Sequence, residues 1–194
     1  PTPIVMELLE KYGIPLSSPI LEIGCGEGRD AKTLLEKEYC LKATDISPEA
    51  ISYCKTTFPK YASNFEVLDC LDPTHPFQYD FIYSVAVLHM LVLKGDRNAF
   101  YRFISEHLKE NGIALICTMG DGKVERETNI RNAFSLEERQ HPSGTVTVAA
   151  TSCKMVSFST FEEELKENHF TIVEKGLTES FLDFPVLMYA LVKK

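Results

Sequence analysis

Residues 21–30, LEIGCGEGRD, place Glu22 ahead of three glycines, Gly24, Gly26 and Gly28, at every second position. Glycine weakens strands and helices alike, so three within five residues serve something other than regular structure. They let a backbone pass close to a partner that is not protein, and a helix starting just beyond them turns the positive end of its dipole to the same spot. Three later stretches carry related groups at the ends of apolar runs: Asp45 with Ile46, Asp69 with Cys70 and Leu71, and Ser84, Val85 and Ala86. Carboxylates accept hydrogen bonds from hydroxyls or amines, apolar side chains cover a ring, and small residues leave room. The chemistry alone therefore describes a nucleoside-type ligand. Taken singly, each acidic residue also suits a cap or a turn; their recurrence in order is the signal. His89, one turn beyond the fourth run, is the best placed candidate base and equally suits a packing role. Tyr83, His141, Arg126 and Arg131 are weaker candidates for contact with a substrate.

Elements must bring these groups together. The pattern predicts a first helix over 4–11, a strand in PILEIG, and a helix over 29–38 with Ala31, Leu34 and Leu35 at helical spacing. A second strand follows in CLKATDIS. Ser47, Pro48 and Glu49 then stand in the order of N-cap, first-turn proline and first-turn carboxylate. FEVLDC and YDFIYSVAVL read as the third and fourth strands. Phe100, Phe103, Ile104 and Leu108 mark a helix that Asn111-Gly112 should stop. GIALICTMG is the fifth strand. Thr160 with Glu163 reads as a capping box opening a helix over 161–170. TIVEKGLTESF and PVLMYALVKK are two final strands joined by a proline-bearing link, with no helix between them and hence antiparallel. Strands alternating with helices imply an α/β, Rossmann-like three-layer sandwich, its seven-stranded sheet mostly parallel with an antiparallel final strand.

The spacing E-x-G-x-G-x-G departs from the dinucleotide fingerprint G-x-G-x-x-G. It resembles class I S-adenosylmethionine-dependent methyltransferases, and the later strand ends extend that resemblance over most of the chain. The resemblance implies S-adenosyl-L-methionine as cofactor and S-adenosyl-L-homocysteine as product. Glu22 would meet the cofactor's amino end, directly or through water, with Gly24, Cys25, Gly26, Gly28 and Arg29 forming the turn around it. Asp45 would take both ribose hydroxyls and Ile46 one adenine face. Asp69 would meet the adenine amino group, Cys70 and Leu71 the ring edge, and Ser84, Val85 and Ala86 the methionine portion. More narrowly, GCGEGRD, QYDFIYSVAVL and YALVKK look like tellurite-resistance and related small-molecule methyltransferases. Tellurite specificity is not carried over, because SFSTFEEELKENHF looks more like generic small-molecule enzymes. SVAVLH is not the Asp/Asn-Pro-Pro-Tyr/Phe motif of adenine-N6 enzymes, and no Pro-Cys dipeptide supplies a cytosine-C5 nucleophile. Two alternatives stand beside this reading: a non-catalytic cofactor-binding sensor or partner protein, and an NAD-type Rossmann oxidoreductase, which the glycine spacing and the final antiparallel pair disfavour.

The chain of 194 residues suits a single domain over 1–194, and 44% hydrophobic residues suit a packed core. A formal net charge of −8 argues against broad nucleic-acid binding and against an anionic membrane surface, and so favours a small-molecule acceptor. No run approaches the roughly 18 apolar residues of a membrane helix, and no secretory leader is visible. The chain opens at Pro1 without a methionine, which predicts a native start upstream. Six cysteines, none in C-x-x-C, read as buried apolar residues of a reducing, cytoplasmic protein and not as a metal set. Residues 120–158 form a connection far longer than the common 12–15 residues. HPSG followed by TVTVA predicts a turn and an added strand within it, and the segment reads as a substrate cap, since loops at the carboxyl ends of parallel strands surround the ligand crevice.

Overall fold

Apolar runs buried on both sides belong in a parallel sheet covered by helices on each face, and the chain builds one. In a computed structural model it runs through α1 (Pro3–Lys11), β1 (Ile20–Ile23), α2 (Arg29–Glu36), β2 (Leu41–Asp45), α3 (Pro48–Thr57), β3 (Phe65–Val67), β4 (Tyr79–Val85), α4 (Lys94–His107) and β5 (Leu108–Met119). It continues through β6 (Arg126–Glu127), β7 (Leu136–His141), β8 (Gly144–Ala149), β9 (Lys154–Met155), α5 (Phe158–Glu167), β10 (Thr171–Glu179) and β11 (Val186–Lys193). Short 3-10 turns occupy Pro59–Asn64 and Leu88–Met90. The structure describes residues 1–72, 74–129, 131, 152–179 and 186–194, with the backbone alone of 136–141 and 144–149.

Seven strands form one sheet in the order β10–β11–β5–β4–β1–β2–β3. β3, β2, β1, β4 and β5 are parallel, and β11 runs antiparallel to both β5 and β10. This is the three-layer, mostly parallel arrangement that the pattern predicts. Leu8 and Leu9 of α1, Leu34 of α2 and Ile51 of α3 cover one face. Phe100 and Ile104 of α4 and Phe161 and Leu165 of α5 cover the other. Ser47 caps α3, its Oγ accepting from the Ala50 N–H at 3.1 Å, as its place before Pro48 implies. Outside the main sheet, β6 pairs with β9 and β7 with β8, both antiparallel. The two residues between β7 and β8, and the link 180–185, lie outside the described residues.

Four expectations are corrected. β3 covers only Phe65–Val67 instead of reaching residue 70. Leu68 N–H still donates to Asp45 O at 3.0 Å, but the Asp69 carboxylate then accepts from its own Leu71 N–H at 2.8 Å and turns the chain. Asn111-Gly112 does not end α4, which stops at His107. The dipeptide lies in a bulge of β5, where pairing jumps from Tyr79–Leu108 to Phe81–Ile113; a Cβ on Gly112 would come within 3.0 Å of Asp80 O. α5 opens at Ser157, whose Oγ accepts from Thr160 N–H at 3.3 Å, so Thr160 is not the cap. Thr160 Oγ1 donates instead to Glu125. Among the cysteines, Cys25, Cys54 and Cys117 are buried, but Cys40 is exposed and Cys70 and Cys153 are half-buried.

Candidate cofactor site at the strand ends

Parallel pairing sets the carboxyl ends of β3, β2, β1 and β4 side by side, so the four groups of residues singled out in the sequence share one edge. The turn after β1 is anchored by Thr44 of β2. Its carbonyl accepts from the N–H groups of Gly24 and Cys25, each at 2.8 Å, while its Oγ1 donates to Glu22 O at 2.6 Å. Gly28 N–H donates to Cys25 O at 2.9 Å and closes the turn into α2.

All three glycines have positive φ: 78° at Gly24, 53° at Gly26 and 75° at Gly28. Their surroundings differ. A Cβ on Gly24 would sit 2.2 Å from Val87 Cγ2, and one on Gly28 would meet Cys54 Sγ at 3.0 Å and Phe58 at 3.1 Å. Only at Gly26 would it meet nothing within 4 Å. Two glycines therefore make room for protein, and of the three Gly26 alone faces open space, which corrects the expectation that all three clear a ligand.

Asp45 joins two of these ends. Its carboxylate accepts from Gly26 N–H at 2.8 Å and from Ser47 N–H at 2.9 Å, and the side chain is half-buried. Ile46 beside it is 64% exposed, an unusual state for an isoleucine next to a sheet. Asp69 is exposed, Leu71 half-buried, and burial pushes the Cys70 thiol up to about 12. Arg29 is exposed, its Nε 3.4 Å from Asp30. Asp30 is buried and accepts from Thr2 N–H at 2.8 Å and Thr2 Oγ1 at 2.7 Å, tying the amino-terminal residues to the start of α2.

Glu22 is 3% exposed and lies opposite Tyr83 in the β1–β4 register. Burial, with the Asp30 charge second, pushes its carboxyl up to about 8. The Tyr83 phenol pulls the other way, yet neither Glu22 Oε2 nor the Tyr83 hydroxyl reaches a partner at hydrogen-bonding geometry. Ser84 Oγ and Thr118 Oγ1, at the ends of β4 and β5, are likewise buried without partners. Buried polar atoms in native proteins are nearly always paired. Four without partners near one end of a sheet mark a place built to meet something else. Thr118 is absent from the expected set, although a lone hydroxyl in the apolar run of β5 is a readable signal.

Past β4, Val85 and Ala86 are half-buried, and Ala86 has φ 60°. Glu38 and His169, the other non-glycine residues of positive φ among those described, follow helix ends, where that conformation is common. Ala86 instead carries strain inside a strand-to-turn junction, as residues at functional sites do. His89 is 5% exposed in the 3-10 turn, and burial followed by the Arg97 charge pushes it down to about 4. It is neutral at pH 7 and a weak base. Tyr83 is fully buried, Arg126 and Arg131 are exposed, and the His141 side chain lies outside the described residues. An open depression of about 530 Å³ at His75–Gln78, Glu106 and His107 lies at the amino end of β4, the opposite end of the strands.

Residues 21–114 match the family model described as a methyltransferase domain. Solved structures share the fold. The glycopeptide N-methyltransferase MtfA complexed with S-adenosyl-L-homocysteine superposes with a TM-score of 0.71 at 15% identity, covering 99% of this chain and 89% of that one. The 1,6-didemethyltoxoflavin-N1-methyltransferase of Burkholderia thailandensis gives 0.71 at 15%, over 99% and 76%. A TehB-like S-adenosylmethionine-dependent methyltransferase of Corynebacterium glutamicum gives 0.64 at 20%, over 96% and 85%. No curated protein matches the chain in sequence. The sheet order is that of the class I methyltransferase fold, and residues 21–114 carry the methyltransferase-domain match on it.

Proposed function

We propose that the protein is an S-adenosylmethionine-dependent methyltransferase that passes the methyl group to a small-molecule acceptor, with the strand-end residues as the cofactor groove. The observation that carries the placement is the buried Glu22 carboxyl, with an oxygen lacking any partner, below a turn whose Gly26 faces open space. An ammonium group meets that oxygen's need. Asp45, already oriented by two backbone N–H groups, suits a pair of hydroxyls, and exposed Ile46 suits an aromatic face. Asp69, Cys70 and Leu71 would border the ring, and Ser84, Val85 and strained Ala86 the methionine end.

S-adenosylmethionine supplies an electrophilic methyl on a positively charged sulfur, so the protein's task is alignment, a contribution worth up to about 7–11 kcal/mol in favourable cases. His89, neutral and buried, is suited to accept a hydrogen bond at this end rather than to strip a proton from a weakly acidic acceptor. The net charge of −8 and the glycopeptide and didemethyltoxoflavin methyltransferases that share the fold support a small acceptor. Residues 120–158 are proposed as its cap. β6 pairs with β9 across the base of the segment, and Glu125 accepts from Ser157 Oγ at 2.7 Å, which ties its two ends together beside β5. Free cysteines support a cytoplasmic setting.

Calorimetry with S-adenosylhomocysteine is the test. Wild-type protein should bind it and ignore nicotinamide dinucleotide; the reverse would overturn the reading. Asp45→Ala and Gly26→Val should each weaken binding by about 100-fold, roughly 2.7 kcal/mol. Unchanged affinity in both would move the groove elsewhere.

A further inference from the structure

One buried cation holds the turn that carries His89. Arg97, in the first turn of α4, is 1% exposed and is the largest of the fully buried side chains among the described residues. Its guanidinium works in two directions. NH1 donates to the carbonyls of Leu88 at 2.8 Å and Leu91 at 3.1 Å. Nε and NH2 donate to Glu164 Oε1 and Oε2 of α5 at 2.8 and 2.7 Å. The Tyr101 hydroxyl donates to the same Oε2 at 2.8 Å. Leu88 and Leu91 bracket the 3-10 turn, which has no side-chain cap and begins one residue beyond the strained Ala86.

Stability alone is a poor account of this pair, because apolar residues of similar volume replace buried ion pairs at little or no cost in stability. What apolar residues cannot do is grip two carbonyls. A planar fork with five fixed donors can, and a 3-10 turn, with its poorer internal hydrogen bonds, needs the grip. Glu164 fixes the fork in turn. α5 is itself tied at its first turn to Glu125 by Ser157 and Thr160, so the turn, the helix and the segment after β5 form one connected unit.

We infer that Arg97, oriented by Glu164, is a positioning residue that fixes the 88–91 turn at the reacting end of the cofactor groove. The inference rests on the methyltransferase reading of the site. It has an electrostatic side. The turn packs on β5 and β9, and after burial the Arg97 guanidinium pushes His89 down. Together with burial it keeps the imidazole neutral. A neutral ring tolerates a sulfonium nearby, whereas an imidazolium repels it. S-adenosylhomocysteine lacks that charge, so the two ligands report on His89 separately.

The experiment compares wild type, Arg97→Lys and the apolar double variant Arg97→Met/Glu164→Leu by thermal melting, amide exchange, and calorimetry with both ligands at about pH 5 and about pH 7.5, either side of the ordinary histidine range. The double variant should stay folded, exchange its 88–91 amides at least about tenfold faster, and bind S-adenosylhomocysteine about tenfold more weakly. It should also lose S-adenosylmethionine preferentially at the lower pH, since it removes the charge and loosens the burial that keep His89 neutral. Wild type should hold the same ratio of affinities at both pH values. Arg97→Lys keeps the charge without the fork, so its exchange should rise while the ratio stays constant; it carries the test if the double variant does not fold. A folded variant with wild-type exchange and affinity overturns the inference alone. Wild-type protein that binds neither ligand overturns the reading of the site, and the inference with it.

Discussion

Two buried clusters in this protein pair a glutamate with a tyrosine, and they are finished differently. Between α4 and α5, Glu164 accepts three hydrogen bonds from Arg97 and Tyr101, and Arg97 uses what remains of its fork on two carbonyls. Between β1 and β4, Glu22 and Tyr83 stand opposite each other, each with an oxygen that no partner reaches. Leaving a buried polar group unsatisfied costs about 1–3 kcal/mol, so a fold does not collect such groups without a use. The saturated cluster holds elements in place. The unsaturated one, at the strand ends beside the glycine turn, lies in the groove proposed for the cofactor.

The sharpest way to break this contrast is to cut each cluster. Arg97→Ala leaves Glu164 and two carbonyls without their donor and should cost about 3–5 kcal/mol in a denaturant titration. A loss below about 1 kcal/mol would mean that the cluster is not the structural joint described. Next in size is the pH response of Glu22. Its carboxyl keeps its proton to about pH 8 in the folded protein against 4.5 ordinarily. Between those values the folded state binds the extra proton, so stability should fall as pH rises through that window, by a few kcal/mol in all. Glu22→Gln cannot ionise and should flatten this part of the melting profile. If Glu22 meets the cofactor's ammonium, binding at pH 7 should release a proton, which calorimetry in buffers of different ionisation enthalpy would count.

How much of this the sequence shows depends on how far away the deciding partner lies. The glycine spacing, the Ser47 cap and the closing strand pair are local patterns, and each is where it was expected. Asn111-Gly112 was local too, but a residue without a Cβ serves a helix stop and a bulge equally well, and only the backbone of Asp80 decides between them. Ser157 and Thr160 are interchangeable as caps until Glu125, thirty-odd residues earlier, claims the threonine. The different tasks of Gly24 and Gly28 depend on Val87 and Cys54, side chains from other elements. Arg97 is the extreme case. In KGDRNAF it reads as part of a solvated helix face, and its burial is set by Glu164, sixty-seven residues on. The edge of the sheet proposed as the cofactor groove stands out in the sequence because it repeats a motif strand by strand; the device that steadies it does not, because its two halves are unremarkable apart.

The smallest effect tests the unsaturated cluster most directly. Tyr83 is fully buried, burial and the Glu22 charge hold its phenol well above the ordinary range, and its hydroxyl has no partner. Tyr83→Phe removes that oxygen and little else, so the folded protein loses a desolvation penalty and no hydrogen bond. Stability should stay level or rise by up to about 1 kcal/mol at pH 7, measured by denaturant titration. Tyr101→Phe is the control, since its hydroxyl donates to Glu164 and its loss should cost about 1–2 kcal/mol. A Tyr83→Phe loss as large as the Tyr101→Phe loss would show that the phenol does pair with Glu22, and the distinction between the two clusters would fail at its simplest point. With S-adenosylhomocysteine bound, the expected order stays the same for Tyr101, while any new penalty at Tyr83 would place the phenol among the groups that the ligand completes.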